Sequence, residues 1–349
     1  MTAQATPETD ALAALAEHVM GAPPEDVFTL PGGGSDRGFF RLVRGEGPED
    51  KPESVVGVIG RNQKENAALL GFTRHFAGQG LPVPRIHATD EAQGVYIMED
   101  LGDLTLADQL TVWRTNPLGK AMALAALTRV VGWLPRFQVH GGQGLDYGLC
   151  YERAEMDSLV FEADIERFLM VYVARHVPTL RPPQRVIDDL DTLVVRLATV
   201  PREHFCYRDF QTRNIMWRDG PVFLDYQSGR LGALQYDLAS FLYSPDTGLT
   251  EDQRTQLMEV YLTALADCGQ SVERVSFLAD FHLFVLARRL QALGAYGHLA
   301  KTRSPDYLKK IPPALADLRN LQQTGKLTLG LPNLEAWLAK LLTTMPEGV

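Results

Sequence analysis

Cysteine is scarce in this chain. Cys150, Cys206 and Cys268 are the three among 349 residues, too few and too scattered for a disulfide framework or a cysteine-built zinc centre. They read as reduced thiols. Long apolar runs are missing as well. The greasiest stretches, AMALAALTRVVGWL and FLADFHLFVLARRLQAL, meet Arg, Asp or His well before the roughly 18 uninterrupted apolar residues of a membrane helix. The first residues, MTAQATPETDALAALAEHVMG, have no basic region leading into an apolar one, so no secretory signal is expected and the cytoplasm is the expected compartment. Positive charge is not in excess: 34 Lys and Arg stand against 43 Asp and Glu, a net charge of −9. A duplex DNA binder would want a basic face to release counterions, so neither nucleic acid nor membrane is an expected partner. Internal repeats and low-complexity tracts are absent. What remains is ordinary globular material, 45% apolar and 22% charged, which excludes whole-chain disorder. The length suits two domains or one large bilobal unit. Nothing in it fixes an oligomeric state.

The first hundred residues mix strand and helix. Thr6-Pro7 is an N-cap followed by proline at the first helical position, and Gly21 stops that helix. VFTL and FFRLV flank PGGGSDRG and predict a hairpin; ESVVGVIG is a further β-branched run. ENAALLGFTRHFAGQG carries apolar residues at helical spacing, and IHAT with GVYIM predicts a second hairpin. At EDLGD the character changes. Beyond it the chain reads as helix after helix, except at HFCYRDFQTRNIMWRDGPVFLDYQ, where NIMW and VFL flank Asp219-Gly220, a strong hairpin signal. The expected class is therefore α+β, with a small β-rich lobe over 1–102 and a larger, mainly helical lobe over 103–349.

One hairpin inside a helical lobe asks for a reason, and its flanks supply one. Asp209 lies five residues before Asn214, and Asp225 eleven after it. A hairpin returns its ends to one edge, so Asn214 and Asp225 are expected to face each other. Their oxygens are the hard ligands Mg²⁺ prefers, and Mg²⁺ takes only one or two from protein and the rest from phosphates and water. Asp209, on the loop entering the hairpin, is placed to accept a hydroxyl proton. Asp and Asn also favour turns on their own account; it is the convergence of three around one hairpin that points to a nucleotide site. The histidines at 140, 176 and 204 show no metal-ligand spacing.

YRDFQTRNIM followed by VFLDYQ resembles the catalytic loop and metal-binding aspartate of the aminoglycoside phosphotransferase and choline kinase superfamily, itself similar to protein kinases. The resemblance covers most of the chain and implies a bilobal protein-kinase-like fold, with ATP and Mg²⁺ as cofactors. It implies that Asp209 is the catalytic base and that Asn214 and Asp225 hold the metal. YIMEDLGD matches the hinge, where backbone groups of Glu99 and Leu101 would meet the adenine. In QYDLASFLYSP, Asp237 would be a structural anchor. Three departures stand out. Tyr207 replaces the histidine that usually opens the loop. GGGSDRG does not keep G-x-G-x-x-G spacing, so Gly33, Gly34, Ser35 and Arg37 either cover phosphates with backbone N–H groups or simply turn a hairpin. And VVGVIG has no lysine where the family keeps one, at about Gly57 or Val58. Arg37, Arg41 or Lys64 is left to substitute, with Glu65 as a partner.

The resemblance leans to the anomeric sugar kinases acting on N-acetylmuramate or N-acetylglucosamine, and so to a small-molecule hydroxyl acceptor. Gln227 and Arg230 are the expected acceptor contacts: an amide both donates to and accepts from sugar hydroxyls. Between 208 and 230, Arg208, Arg213, Arg218 and Arg230 outnumber Asp209, Asp219 and Asp225, which disfavours a polycationic acceptor. Aminoglycoside, choline-like and amino-acid-derived acceptors are the alternatives within the enzyme class. A catalytically inactive nucleotide-binding regulatory module is the alternative outside it, suggested by the missing lysine and opposed by the joint presence of Asp209, Asn214 and Asp225.

Overall fold

A computed structural model of the chain describes residues 6–31, 37–45, 49, 51–344 and 346. Gly33, Gly34 and Ser35 lie outside the described residues. The chain divides by its contacts into two compact units, each made of several stretches of sequence. The first holds residues 1–129, 140–154 and 212–229; the second holds 130–139, 155–211 and 230–349. This division does not follow the change of character near residue 102, because the first unit also takes helices and the Asp-Gly hairpin from beyond that point.

In the first unit, α1 (Pro7–Met20) starts at a capping box on Thr6 and ends at Gly21, whose φ of 74° makes a left-handed stop. Five antiparallel strands follow: β1 (Asp26–Leu30), β2 (Gly38–Val43), β3 (Ser54–Ile59), β4 (Ile86–Asp90) and β5 (Val95–Glu99), in the spatial order β1-β2-β3-β5-β4. Helix α2 (Gln63–Gly78), capped by Asn62, is inserted between β3 and β4. Period-two alternation gives the sheet two faces. Leu42, Val55, Val95 and Ile97 form one, and α1 packs on it through Leu12, Ala16, Val19 and Met20. Phe39, Val58 and Tyr96 align across β2, β3 and β5 on the other.

That packing explains the missing lysine. Gly57 lies on the α1 face, and a Cβ there would meet the Leu12 side chain at 2.9 Å and Leu42 at 3.0 Å. No long side chain fits beneath α1. Val58, on the opposite face, is fully buried between strands.

The Asp-Gly hairpin also belongs to this unit. Strands β7 (Ile215–Trp217) and β8 (Pro221–Phe223) pair antiparallel. Trp217 N–H donates to Leu104 O and Phe223 N–H to Pro82 O, so the hairpin is tied to the segments flanking the β4–β5 pair. Helix α3 (Leu106–Trp113) adds an edge-on contact from Trp113 to Trp217, with centroids 5.7 Å apart.

The second unit is mostly helical. Helix α4 (Pro117–Gln138) enters it at Val130; α5 (Ser158–Arg167) runs on as a π-helical stretch, Phe168–Val173, into α6 (Ala174–His176). Then come α7 (Gln184–Thr199), α8 (Leu234–Leu242), α9 (Glu251–Asp267), the 29-residue α10 (Arg274–Thr302), α11 (Ile311–Gln323) and α12 (Pro332–Thr343). Gly294 lets α10 approach that π-helical stretch: a Cβ would meet Phe168 N at 2.9 Å. A two-stranded sheet pairs β6 (His204–Cys206) with β9 (Arg230–Gly232). Among the described residues no helix is long and apolar enough to cross a membrane, and all three cysteines are free.

Candidate active site

In the first unit the hairpin brings Asn214 and Asp225 together. Leu224 N–H donates to Asn214 O at 2.9 Å and closes the open end. Asn214 Nδ2 donates to Asp225 Oδ2, also at 2.9 Å. Asp225 has φ of 66°, the left-handed region that only short polar residues and glycine enter at low cost. Its other oxygen, Oδ1, accepts from Gln227 Nε2 at 2.7 Å. The same nitrogen donates to Glu65 Oε1 on α2 at 3.2 Å, and Glu65 Oε1 accepts from Arg37 Nη2 at 2.7 Å. Arg37, Glu65, Gln227, Asp225 and Asn214 thus form one continuous chain of hydrogen bonds. Arg37 is 8% exposed, Gln227 5% and Asn214 9%.

Tyr96 faces the same cluster from β5. Burial raises its hydroxyl to about 12, with Arg37 lowering it and Glu65 and Asp225 raising it. Its OH and Gln227 Oε1 are buried without a hydrogen-bond partner among the described residues.

Tyr226, between Asp225 and Gln227, anchors the loop on α2. Its ring meets Phe76 edge-on at 5.1 Å, and its OH lies 2.6 Å from Thr73 Oγ1. Thr73 donates its single proton to Leu69 O, so Tyr226 is the donor of the pair. Thr73→Val removes that acceptor from a buried hydroxyl and is expected to cost about 1–3 kcal/mol, whereas Tyr226→Phe removes the donor as well as the bond and should cost about 0.5–1.5 kcal/mol. Urea unfolding of the two variants measures the order; equal or reversed costs refute it.

Of the three bases open to replace the missing lysine, the structure pairs Arg37 with Glu65. Arg41 is engaged elsewhere, through Nε and Nη2 to Asp100 and through Nη1 to Asp103. Burial alone would raise the Asp100 carboxyl, but Arg41, the Gly102 N–H and Ser54 outweigh it and hold it below the usual range. Lys64 is exposed. At the expected hinge, Glu99 N–H donates to Arg85 O, and Leu101 is buried.

The donor set suits magnesium. Asn214 and Asp225 offer an amide oxygen and a carboxylate, and a hydrated Mg²⁺ asks no more of a protein when phosphates complete its shell. Among the described residues there is no group of three or more His, Cys, Asp and Glu of the kind that would hold a metal.

In the second unit, Asp209 sits on the loop after β6. Asp237, on α8, holds this loop from beneath: Oδ2 accepts Tyr207 N–H at 2.7 Å and Oδ1 accepts Arg208 N–H at 2.8 Å. Burial raises the Asp237 carboxyl to about 6, opposed by those two N–H groups. Arg208 has φ of 67°, a strained turn that the Asp237 contacts hold in place. Tyr207 packs as an apolar prop, its ring edge-on to Phe137 at 5.8 Å and Phe210 at 5.3 Å. Asp209 Oδ1 accepts from Gln211 Nε2 at 3.3 Å.

Arg230, in β9, is buried opposite Cys206. Asp164 on α5 collects positive neighbours. Burial raises its carboxyl, while Arg288, Arg208, Arg167 and Arg230 all act to lower it. Arg288 donates to Tyr236 OH at 2.7 Å and Ser240 Oγ at 3.0 Å. The Asp164 cluster and the Gln227–Glu65 bond went unread in the sequence. Gln227 and Glu65 are 162 positions apart, the arginines around Asp164 come from four separate stretches of the chain, and no spacing signals either.

A model of the phosphotransferase enzyme family matches residues 29–278. An N-acetylmuramate/N-acetylglucosamine kinase of Pseudomonas aeruginosa is 25% identical over 333 residues, covering 89% of this chain and 90% of the relative. A protein of the same description from Neisseria meningitidis serogroup B is 26% identical over 308 residues, covering 86% and 87%. Among solved structures, a choline kinase from Cryptosporidium parvum superposes with a TM-score of 0.58 at 14% identity, over 95% of this chain and 99% of that one. That likeness shows the α+β, protein-kinase-like fold.

Proposed function

The chain belongs to the phosphotransferase enzyme family and is a small-molecule phosphotransferase, and we propose that it transfers the terminal phosphoryl group of ATP to a hydroxyl of an N-acetylated amino sugar, the anomeric one. The observation that carries the reading is the Asn214–Asp225 pair, hydrogen-bonded at the open end of its hairpin with Asp225 in a left-handed turn. Asn214 and Asp225 would hold magnesium, which when bound neutralises charge on the transferring phosphoryl group. Asp209 takes the proton of the acceptor hydroxyl, on a loop whose backbone Asp237 fixes. The backbone around Glu99 and Leu101 receives the adenine, and Arg37 serves the phosphates.

Two things support an amino sugar. The relatives named above act, by their names, on N-acetylmuramate and N-acetylglucosamine. Within the second unit, Arg208 and Arg288 both lie within electrostatic reach of Asp209, surroundings that repel a polycation and suit a neutral or anionic acceptor.

The test is a steady-state comparison of N-acetylmuramate, N-acetylglucosamine, choline and kanamycin at equal concentration with magnesium and ATP. One or both sugars are expected to be phosphorylated, with phosphorus NMR showing coupling to the anomeric proton. Turnover of choline or kanamycin with neither sugar used rejects the acceptor while keeping the phosphotransferase.

A further inference from the structure

We propose that Gln227 is a positioning residue: it fixes the Asp225 carboxylate by bridging it to Glu65 on α2, so that magnesium binding depends on α2 as well as on the hairpin. The proposal rests on the functional reading above, in which Asp225 holds the metal, and moves Gln227 from the acceptor to the metal.

The geometry carries it. A primary amide nitrogen has two hydrogens, and Gln227 Nε2 has two carboxylate acceptors, Asp225 Oδ1 at 2.7 Å and Glu65 Oε1 at 3.2 Å. Its donor capacity is filled by protein. Asp225 is then gripped at both oxygens by neutral amides, Oδ2 by Asn214 and Oδ1 by Gln227. Neutral donors orient a carboxylate without cancelling the charge a cation requires; a lysine in place of Gln227 would orient it and compete with the metal.

Glu65 would otherwise be a second negative charge close to Asp225. Arg37 answers it, with Nη2 at 2.7 Å from Glu65 Oε1. The two carboxylates share one amide nitrogen between them, and removing that nitrogen leaves them facing each other with no donor from Gln227. Oδ1 of Asp225 then loses the donor that fixes it, and the left-handed backbone at its φ of 66° offers few alternative conformations that keep the ligand in place. The sheet explains why the arginine enters here. Val58 is buried between Phe39 and Tyr96 on this face, so the charge comes from the residue preceding β2.

Calorimetric titration of ADP at a series of magnesium concentrations tests the proposal, with Gln227→Met, Glu65→Ala and the double variant beside the parent. Thermal unfolding followed by circular dichroism reports on the fold of each. Gln227→Met is expected to raise the magnesium concentration for half-maximal ADP binding by about tenfold, the lower end of the effect of a residue that orients a metal ligand. The KM for N-acetylglucosamine should stay within about twofold of the parent value. Glu65→Ala should reproduce the shift, and the double variant should be no worse than the poorer single, because both changes cut one link.

An unshifted magnesium requirement with a raised KM for the sugar overturns the proposal and returns Gln227 to the acceptor. Additive shifts in the double variant overturn it as well. Should Gln227→Met fail to fold, Glu65→Ala decides alone: alanine suits a helix, and an unchanged magnesium requirement there refutes the coupling. A parent protein whose ADP binding ignores magnesium overturns the functional reading itself, an outcome distinct from a normal parent with unshifted variants.

Discussion

Asp209→Asn is expected to fold as the parent does and to lose about 10²–10⁴-fold in turnover, the scale of a positioned acid–base group. The substitution is nearly isosteric. The loop is held by backbone contacts to Asp237, with Tyr207 and Arg208 N–H groups donating to its two oxygens, and none of these involves the Asp209 side chain. Asparagine keeps an acceptor for Gln211 Nε2 but cannot receive the proton of an acceptor hydroxyl. Turnover therefore falls while acceptor binding persists, the signature of an interaction made in the transition state alone. A coupled assay of ADP release with N-acetylglucosamine gives kcat and KM, and circular dichroism gives the fold. Near-normal kcat in a folded variant removes Asp209 from the base role.

The sequence made the scaffold legible where local chemistry sets it. The Thr6-Pro7 cap, Gly21, the β-branched run of β3 and Asp219-Gly220 each act over a few residues, and each predicted element is present. The short β6–β9 pair was not visible, because three-residue strands are too short for period two to register. The absence of a lysine from VVGVIG was plain, but its cause was not. Gly57 faces Leu12, and that contact joins residues 45 positions apart in the chain.

The candidate site divides in the same way. The facing of Asn214 and Asp225 followed from hairpin geometry, since a hairpin's ends must meet. The choice among Arg37, Arg41 and Lys64 could not follow from spacing. Arg37 precedes β2 and Arg41 lies within it, and only the placement of Glu65 and Asp100 separates their partners. Gln227 was read from its type, as a group able to contact sugar hydroxyls. The structure places its amide on two carboxylates, a role that type alone does not distinguish.

Asp225→Ala carries the largest expected effect: loss of magnesium-dependent phosphoryl transfer to background. Alanine removes the one charged ligand of the pair, leaving Asn214 and water to hold a dication beside phosphates. Water can replace a neutral amide in the shell of a strongly hydrated ion, so Asn214→Ala should be the milder change; it cannot replace a carboxylate's charge. The deletion also frees Gln227 Nε2 from its 2.7 Å contact, but Glu65 still accepts from that nitrogen, and Tyr226 keeps its bond to Thr73. The fold should therefore survive. Alanine is also poorly suited to a φ of 66°, which adds about 1 kcal/mol of backbone strain; Asp225→Asn separates this from the loss of charge, because asparagine tolerates the left-handed region. If charge is the cause, Asp225→Asn is nearly as inactive as Asp225→Ala although it is spared the backbone strain, and excess magnesium restores little to either. Magnesium-dependent ADP binding and turnover that persist in Asp225→Ala would place the metal elsewhere in the protein.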